Sequence, residues 1–240
     1  MGLNADPHQP VVAGPGTRAL PEPLPRRLNV GCGYDIRPGY LNVDSGDWHK
    51  PDFIADITDL HMLPGGHFEA IVAQDVLEHI GREKQVSALT GWGRLLAPDG
   101  VLTVRVPSLY DMAMLARHPD FQTEERQHHL VNMAYGTQAY PGDFHLCGYT
   151  TWTLAGHGRE AGLIVVRASL RDEWLYDVDF RRAEAAERLD DTEWLHHTYF
   201  TDLHRCADPG GLDYWLGALK AGESRMHVRA SMRAAEGMEG

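Results

Sequence analysis

Short apolar runs, each ended by turn residues, set the pattern of the chain's first half. Leu28-Asn29-Val30, Tyr40-Leu41-Asn42-Val43, Phe53-Ile54-Ala55-Asp56-Ile57, Phe68 to Ala73 and Val101 to Val106 each read as a strand, the last with the composition of a central one. Between the fourth and fifth runs, Val86, Leu89, Trp92, Leu95 and Leu96 recur at helical spacing. They predict a helix from Glu78-His79 to about Leu96, and Pro98-Asp99-Gly100 then predicts the turn into the fifth strand. Farther on, Thr150 or Thr151 is expected to cap a helix running through Ala161, with Gly162 ending it. Leu163 to Ala168 reads as a sixth strand and Trp174-Leu175-Tyr176 as a short seventh. From Asp177 onward a helical chain is expected: Phe180 to Leu189, Glu193 to Cys206, then two more. Leu212, Trp215, Leu216 and Leu219 would form an apolar face in the first of that last pair. The expected fold class is α/β, with a doubly wound parallel sheet.

Two strand ends carry the chemistry. Gly31 and Gly33 follow the first strand and allow a sharp turn that lets a ligand approach without interference from a Cβ. Asp44 closes the second strand. A carboxylate there, beside a glycine turn, is how doubly wound folds grip a ribose through its two hydroxyls, so a nucleoside ligand is expected. A dinucleotide site would want a third small residue; Ile36 stands there, and Pro38-Gly39 follows, so no long helix can start. NAD and FAD are therefore disfavoured. Gln74-Asp75 closes the fourth strand, and ligands of open α/β sheets sit beyond such ends, so Asp75 should point at cofactor or acceptor.

Composition narrows the partners. The 240 residues suit one domain of about 150 to 180 residues plus additions, and 43% of them are hydrophobic, enough for a sizeable core. A net charge of −12 disfavours a nucleic-acid substrate. Cys32, Cys147 and Cys206 are odd in number and far apart, which argues for a reducing compartment. No run approaches 18 apolar residues and no signal-peptide pattern opens the chain, so a cytoplasmic location without membrane contact is expected. Residues 1–26 hold six prolines and little periodicity, and read as a disordered arm.

Five ordered blocks resemble class I S-adenosylmethionine (SAM) dependent methyltransferases. They are Leu28 to Gly33, Asn42-Val43-Asp44, Ala55-Asp56-Ile57, Asp75-Val76-Leu77-Glu78-His79 and Leu95 to Gly100. The chain departs from the full pattern: Asp35 replaces a third glycine, Asn29 replaces an acid, and only nine residues separate Val30 from Tyr40. Relatives of small-molecule type with an Asn-x-Gly-x-Gly opening share these departures. The resemblance implies a Rossmann-like sheet, with a lid insertion after strand 5 and a C-terminal helical extension. It implies SAM as cofactor, contacted by Asn29, Gly31, Cys32, Gly33, Asp44, Gln74, Asp75 and His79. Asp56 and Ile57 would meet the adenine, although Asp56 also suits a plain turn. Arg37 would either pair with the SAM carboxylate or lie in solvent, and His79 would either orient the loop or pack in the core. The expected domains are the SAM-binding unit at 27–176 and a module at 177–240, which resembles one that bacteria append to glycan-related proteins.

Residues 107–149 form the expected acceptor-site insertion. Within it Tyr140-Pro141-Gly142-Asp143-Phe144-His145 joins a stiff turn to an acid and an imidazole. His145 is the candidate general base, assisted by Asp143, with Asp75 the third candidate catalytic residue. A metal could be held by Asp143, His145, Cys147 and the His128-His129 pair, but no pair has helical i, i+4 or tight Cys-x-x-Cys spacing, so none is expected. The expected reaction is methyl transfer to a small acceptor, an oxygen on a sugar, natural product or modified peptide. An aminopropyl transferase and a catalytically silent SAM-binding partner are the alternatives, and the C-terminal helices read as a packing or homodimer-forming unit.

Overall fold

The computed structural model describes residues 19–139 and 142–237. Seven strands form one sheet: β1 (Arg27–Val30), β2 (Leu41–Asp44), β3 (Phe53–Ile54), β4 (Phe68–Gln74), β5 (Leu96–Pro107), β6 (Leu163–Arg171) and β7 (Leu175–Arg182). Their order across the sheet is β3-β2-β1-β4-β5-β7-β6. β1 to β5 are parallel, whereas β7 runs antiparallel between β5 and β6. Chain order therefore reverses between β1 and β4, so their carboxyl ends flank the sheet's switch point. The expected α/β fold with a Rossmann-like sheet is present.

Hydrophobicity places the sheet at the centre. Leu28, Val30, Leu41, Val43, Ile71, Leu102, Val104 and Val106 are buried along its parallel strands. The helix α1 (Arg82–Leu95) contributes Ala88, Leu89, Trp92 and Leu95 to the same core. Each large side chain so buried stabilises the fold by about 1.5–3 kcal/mol. Trp92 also donates its indole N–H to the Ile57 carbonyl at 2.8 Å, tying α1 to the loop after β3.

The insertion is more regular than its sequence suggests. It holds α2 (Leu109–Leu115) and α3 (Glu124–Tyr135), capped by Ser108 and Thr123, before an irregular return limb. Its two ends meet, since Ser108 and Tyr149 form an isolated bridge and Leu109 N–H donates to the Tyr149 carbonyl at 2.8 Å. α4 (Thr151–Glu160) follows, with a capping box between Thr150 and Thr153, as its sequence predicts. After β7 come α5 (Asp191–Thr201), α6 (Pro209–Lys220) and α7 (Arg225–Ala235). α5 joins the two cores. Its Phe200 packs in the main one, while Leu195 and Tyr199 pack with Leu203, Val228 and Met232 in a second. Leu212, Trp215, Leu216 and Leu219 pack against that second cluster, as their spacing predicts.

Several expectations need correction. The helix expected from Phe180 does not begin there, because β7 continues through Arg182 across the expected boundary at 176/177. Val178 and Phe180 are buried in the core, while Asp177 and Asp179 pair with Arg167 and Arg171 of β6, so the cross-strand ion pairs pin a period of two. α5 ends at Thr201, short of Cys206. No continuous helix runs from Glu78: Leu77–His79 is a single 3-10 turn, and the Gln85 side chain donates to the Leu77 and Ile80 carbonyls where the backbone breaks at Gly81. β5 starts at Leu96, so Pro98-Asp99-Gly100 lies in an irregular stretch of strand. Of the arm expected to be disordered, residues 1–18 lie outside the described residues, while Leu20 and Leu24 pack against the main core.

Gly31, with φ of +62°, sits where an added Cβ would lie 2.6 and 2.8 Å from the two methyl carbons of Val76. Gly31→Ala should therefore cost about 2–4 kcal/mol, combining the left-handed backbone penalty with overpacking. Urea unfolding should show this as a lowered midpoint. A second expected outcome concerns pH. His197 on α5 donates its Nδ1–H to the Val165 carbonyl at 3.1 Å, and burial holds its imidazole pKa below the ordinary value of 6.5. The folded state keeps this ring neutral while the unfolded chain takes up the proton, so stability from this residue is lost as pH falls below about 6.5. Stability should then fall less steeply from pH 7 to pH 5.5 in His197→Asn than in the parent chain, as read by urea unfolding at each pH.

Candidate active site

The site begins where β1 and β2 end. Gly33 N–H donates to Asp44 Oδ2 at 2.8 Å and Gly46 N–H to Oδ1 at 3.2 Å, which fixes the carboxylate between two loops. A carboxylate offers about four lone-pair directions, so two remain to accept a pair of vicinal hydroxyls. Around Gly33, with φ of +48°, nothing lies within 4 Å of where a Cβ would stand. Open space thus adjoins a fixed carboxylate, and a ribose fits this combination. Cys32 contributes otherwise than expected. Its N–H donates to Val43 O, its carbonyl accepts from Asp35 N–H, and burial pushes its thiol up to about 12, so its backbone shapes the turn.

The short first crossover is held by buried amides. Asn29 Nδ2 donates to Asp35 O at 2.6 Å and to Asn42 Oδ1 at 3.0 Å. Asn42 in turn accepts from Arg37 N–H at 2.9 Å and donates from its own Nδ2 to Asp52 Oδ2 at 2.8 Å. Asn29 is therefore a correction: at 3% exposure its amide positions the loop and does not reach outward. Arg37 is held rather than solvated, with Nε on Asp35 Oδ2 and Nη2 on Gln74 Oε1, both at 2.7 Å. Gln74 is thereby committed to Arg37. Asp56 Oδ1 accepts from the Thr58 N–H and hydroxyl at 2.9 and 2.8 Å, which realises its turn role. Ile57 meets Trp92 through its carbonyl.

Asp75 occupies the end of β4 with φ of +55°, an unusual backbone for a residue with a Cβ. Its carboxylate is not available as a base. Arg105 on β5 grips it with two N–H groups, Nε to Oδ1 at 2.9 Å and Nη2 to Oδ2, and the carboxylate raises the Arg105 pKa in return. A catalytic Asp75 would have to act from within this ion pair. Arg105, which lies on a strand read as apolar, carried no signal in the sequence.

The return limb of the insertion lies on the 3-10 turn after β4. Three hydrogen bonds join them: Leu146 N–H to Glu78 O at 2.8 Å, His79 Nδ1–H to Phe144 O at 3.1 Å, and the Tyr149 hydroxyl to Leu77 O at 3.1 Å. His79 thus orients the loop, not the cofactor. His145 Nδ1–H donates to Met133 O at 2.8 Å, and its ring stands edge-on to that of His79 with centroids 4.7 Å apart. Burial lowers the pKa of both imidazoles. Asp143 makes no hydrogen bond to His145, although its charge acts to raise the pKa of that ring. Its Oδ2 accepts from the Thr137 hydroxyl and from Ala139 N–H at 3.4 Å, closing the loop on itself. Tyr140 and Pro141, singled out with it, lie outside the described residues. Glu78 was not anticipated as a site residue. It is fully buried, both carboxylate oxygens lack a hydrogen-bond partner among the described residues, and burial followed by the charge of Asp75 raises its pKa well above the ordinary value. A carboxylate oxygen of Glu78 and one ring nitrogen each of His79 and His145 all lie within 4.8 Å of one another.

The remaining histidines of the insertion stand apart. His128 and His129 line an open depression of about 550 Å³ with Phe121, Glu125, Arg126, Asn132 and Glu173. Among the described residues no helix is long and apolar enough to cross a membrane.

Comparison with known proteins gives one family match and several likenesses among solved structures. Residues 11–104 match the model of a methyltransferase domain family. No curated protein matches the chain. Among solved structures, it is similar to the PH0226 protein of Pyrococcus horikoshii, at 13% identity and a TM-score of 0.45, over 65% of this chain and 81% of that one. It is also similar to PKMT2 of Rickettsia typhi in complex with AdoHcy, at 13% identity and 0.45; 66% of this chain spans about half of that one, 49%. A third is the Burkholderia thailandensis 1,6-didemethyltoxoflavin-N1-methyltransferase with S-adenosylhomocysteine, at 14% and 0.44, over 65% of this chain and 70% of that one. Residues 11–104 thus match a methyltransferase domain, and the strand tips in that stretch have the geometry to take a ribose.

Proposed function

We propose that this domain methylates an oxygen on a small molecule, such as a sugar, a natural product or a modified peptide. The observation that carries the cofactor half of this reading is Asp44, held by two backbone N–H groups beside the open Gly33 turn. Asp44 would accept the ribose hydroxyls, Asp56 and the Ile57 N–H would meet the adenine, and Arg37 would offer its remaining guanidinium donors to the amino-acid carboxylate. SAM supplies a methyl group that is already activated. The chain therefore mainly aligns the acceptor with it and excludes water.

The acceptor half rests on the insertion, taken as residues 107–149. Its return limb brings two neutral imidazoles to the end of β4, beside the buried Glu78, while Asp75 and Asp143 are bound to Arg105 and Thr137. Neutral nitrogen bases suit a hydroxyl acceptor, which must lose a proton. An aminopropyl transferase would need several free carboxylates for a cationic polyamine, whereas Asp75 and Asp143 are bound here and Glu78 is fully buried with its pKa raised. The net charge of −12 likewise favours a small acceptor over a nucleic acid. The C-terminal helices, joined to the main core through α5, would serve as a packing or pairing unit, and the three free cysteines suit a cytoplasmic setting.

Calorimetry with SAM tests the cofactor half. Asp44→Ala should weaken binding at least tenfold, since two charged hydrogen bonds contribute roughly 1.5–3 kcal/mol each. Unchanged affinity in a folded variant would remove Asp44 from the site. His145→Ala tests the acceptor half and should lower turnover about 10²- to 10⁴-fold with SAM affinity unchanged. Near-normal turnover would instead point to an acceptor that has no proton to lose.

A further inference from the structure

Glu78, His79 and His145 present an unusual set of groups to one another. Each imidazole has its Nδ1–H committed to a backbone carbonyl, Phe144 O for His79 and Met133 O for His145. That fixes the tautomer, so each Nε2 carries a lone pair and no proton. The third group is the Glu78 carboxylate, fully buried, with no hydrogen-bond donor to either oxygen among the described residues. The nearest positive charge felt by Glu78 is Arg105, whose fork is already closed on Asp75. A carboxylate oxygen and one nitrogen of each ring therefore lie within 4.8 Å of one another, and no hydrogen bond to the carboxylate is present among the described residues. A proton on Glu78 would provide one donor for two imidazole lone pairs. A cation satisfies all three at once.

We propose that Glu78, His79 and His145 form a binding site for one divalent transition ion of the Zn²⁺ type. Two imidazole nitrogens and one carboxylate oxygen are a borderline-soft set that suits first-row transition ions and not Mg²⁺ or Ca²⁺, which take oxygen ligands. Ligands about 2.0–2.2 Å from such an ion stand about 3.3 Å apart in a tetrahedron. The carbonyls behind each Nδ1–H already provide the outer support that metal-bound histidines use to hold their orientation. Three protein ligands leave at least one position open, as in metal sites that bind a substrate oxygen. Glu78 and His79 belong to the turn after β4, whereas His145 belongs to the insertion, so the ion would clasp the insertion onto the sheet. In the methyl-transfer reading it would polarise the acceptor hydroxyl and replace the free His145 imidazole in releasing the proton.

This site is independent of SAM recognition, and its test is kept separate from activity. The full chain, stripped with a chelator, is titrated with Co²⁺ while the visible absorption of the ion is recorded, then with Zn²⁺ in competition. One Co²⁺ per chain should bind with the intense visible bands of a four- or five-coordinate site, be displaced by Zn²⁺ and be unaffected by excess Mg²⁺. Glu78→Gln, which preserves size, and His145→Ala should each weaken binding at least a hundredfold, while His129→Ala on α3 should bind as the parent does. Zn²⁺ should raise the melting temperature of the parent and leave that of Glu78→Gln unchanged. Asp44→Ala should lose SAM and keep the ion, which separates failure of this proposal from failure of the cofactor assignment. SAM binding by Glu78→Gln and His145→Ala verifies that they fold; should His145→Ala fail to do so, Glu78→Gln decides alone. Absence of stoichiometric Co²⁺ binding by the parent, or undiminished binding by folded Glu78→Gln, would overturn the proposal.

Discussion

The contact between Gly31 and Val76 is the constraint on which the rest of the site depends. One residue ends the first strand and the other begins the turn after the fourth, and no Cβ fits between them. Their closeness is possible only because the sheet places β1 directly beside β4. Once the two exits are drawn together, the chain after Gly31 has nowhere to go but back across β2. Gly33 N–H is then aimed at Asp44, and the turn carrying Glu78 and His79 is set beside the same opening. The Gly33–Asp44 contact and the turn carrying Glu78 thus share one steric origin.

Within that frame, polar groups are used chiefly to hold loops. The nine residues between Val30 and Tyr40 are too few for the usual crossover helix, and a chain of side-chain amides takes its place. Asn29, Asn42 and Asp52 satisfy the backbone of a loop that would otherwise leave buried carbonyls and N–H groups unpaired. Asp75 and Asp143 follow the same logic. Each has the chemistry of a catalytic acid, and each is spent on a neighbour, Arg105 in one case and the Thr137 hydroxyl in the other. What stays available at the end of β4 is two imidazoles kept neutral by burial and a carboxylate without a donor.

The insertion owes its placement to hydrogen bonds with backbone as well as to burial of Cys147 and Tyr149 in the main core. Its ends are joined at Ser108 and Tyr149, and its return limb is fastened to residues 77–79 by bonds from Leu146, His79 and Tyr149. Such bonds contribute about 1 kcal/mol each, enough to set a loop's path and few enough to let it open locally. The C-terminal helices behave differently. α5 places Phe200 in one core and Tyr199 in the other, so burial of large side chains, not a linker, connects the module to the sheet.

The sequence by itself determined the strands, the glycine turn and the carboxylate beside it. Periodicity and backbone freedom are local properties, and Leu28 to Gly33 with Asp44 carries them without help from the rest of the chain. It also determined the class of ligand, because a ribose needs only a turn and an acid at adjacent strand ends. Tertiary structure decided which polar residues remain free. Whether Asp75 is a base or half of an ion pair depends on Arg105, thirty positions away, and the pairing of β4 with β5 puts the two side by side. The continuation of β7 through Arg182 depended likewise on β5 and β6 standing on either side to pair with it. Glu78 and His145 became neighbours only when 66 residues of chain returned across the end of the sheet, since a long-range contact has no periodicity to announce it.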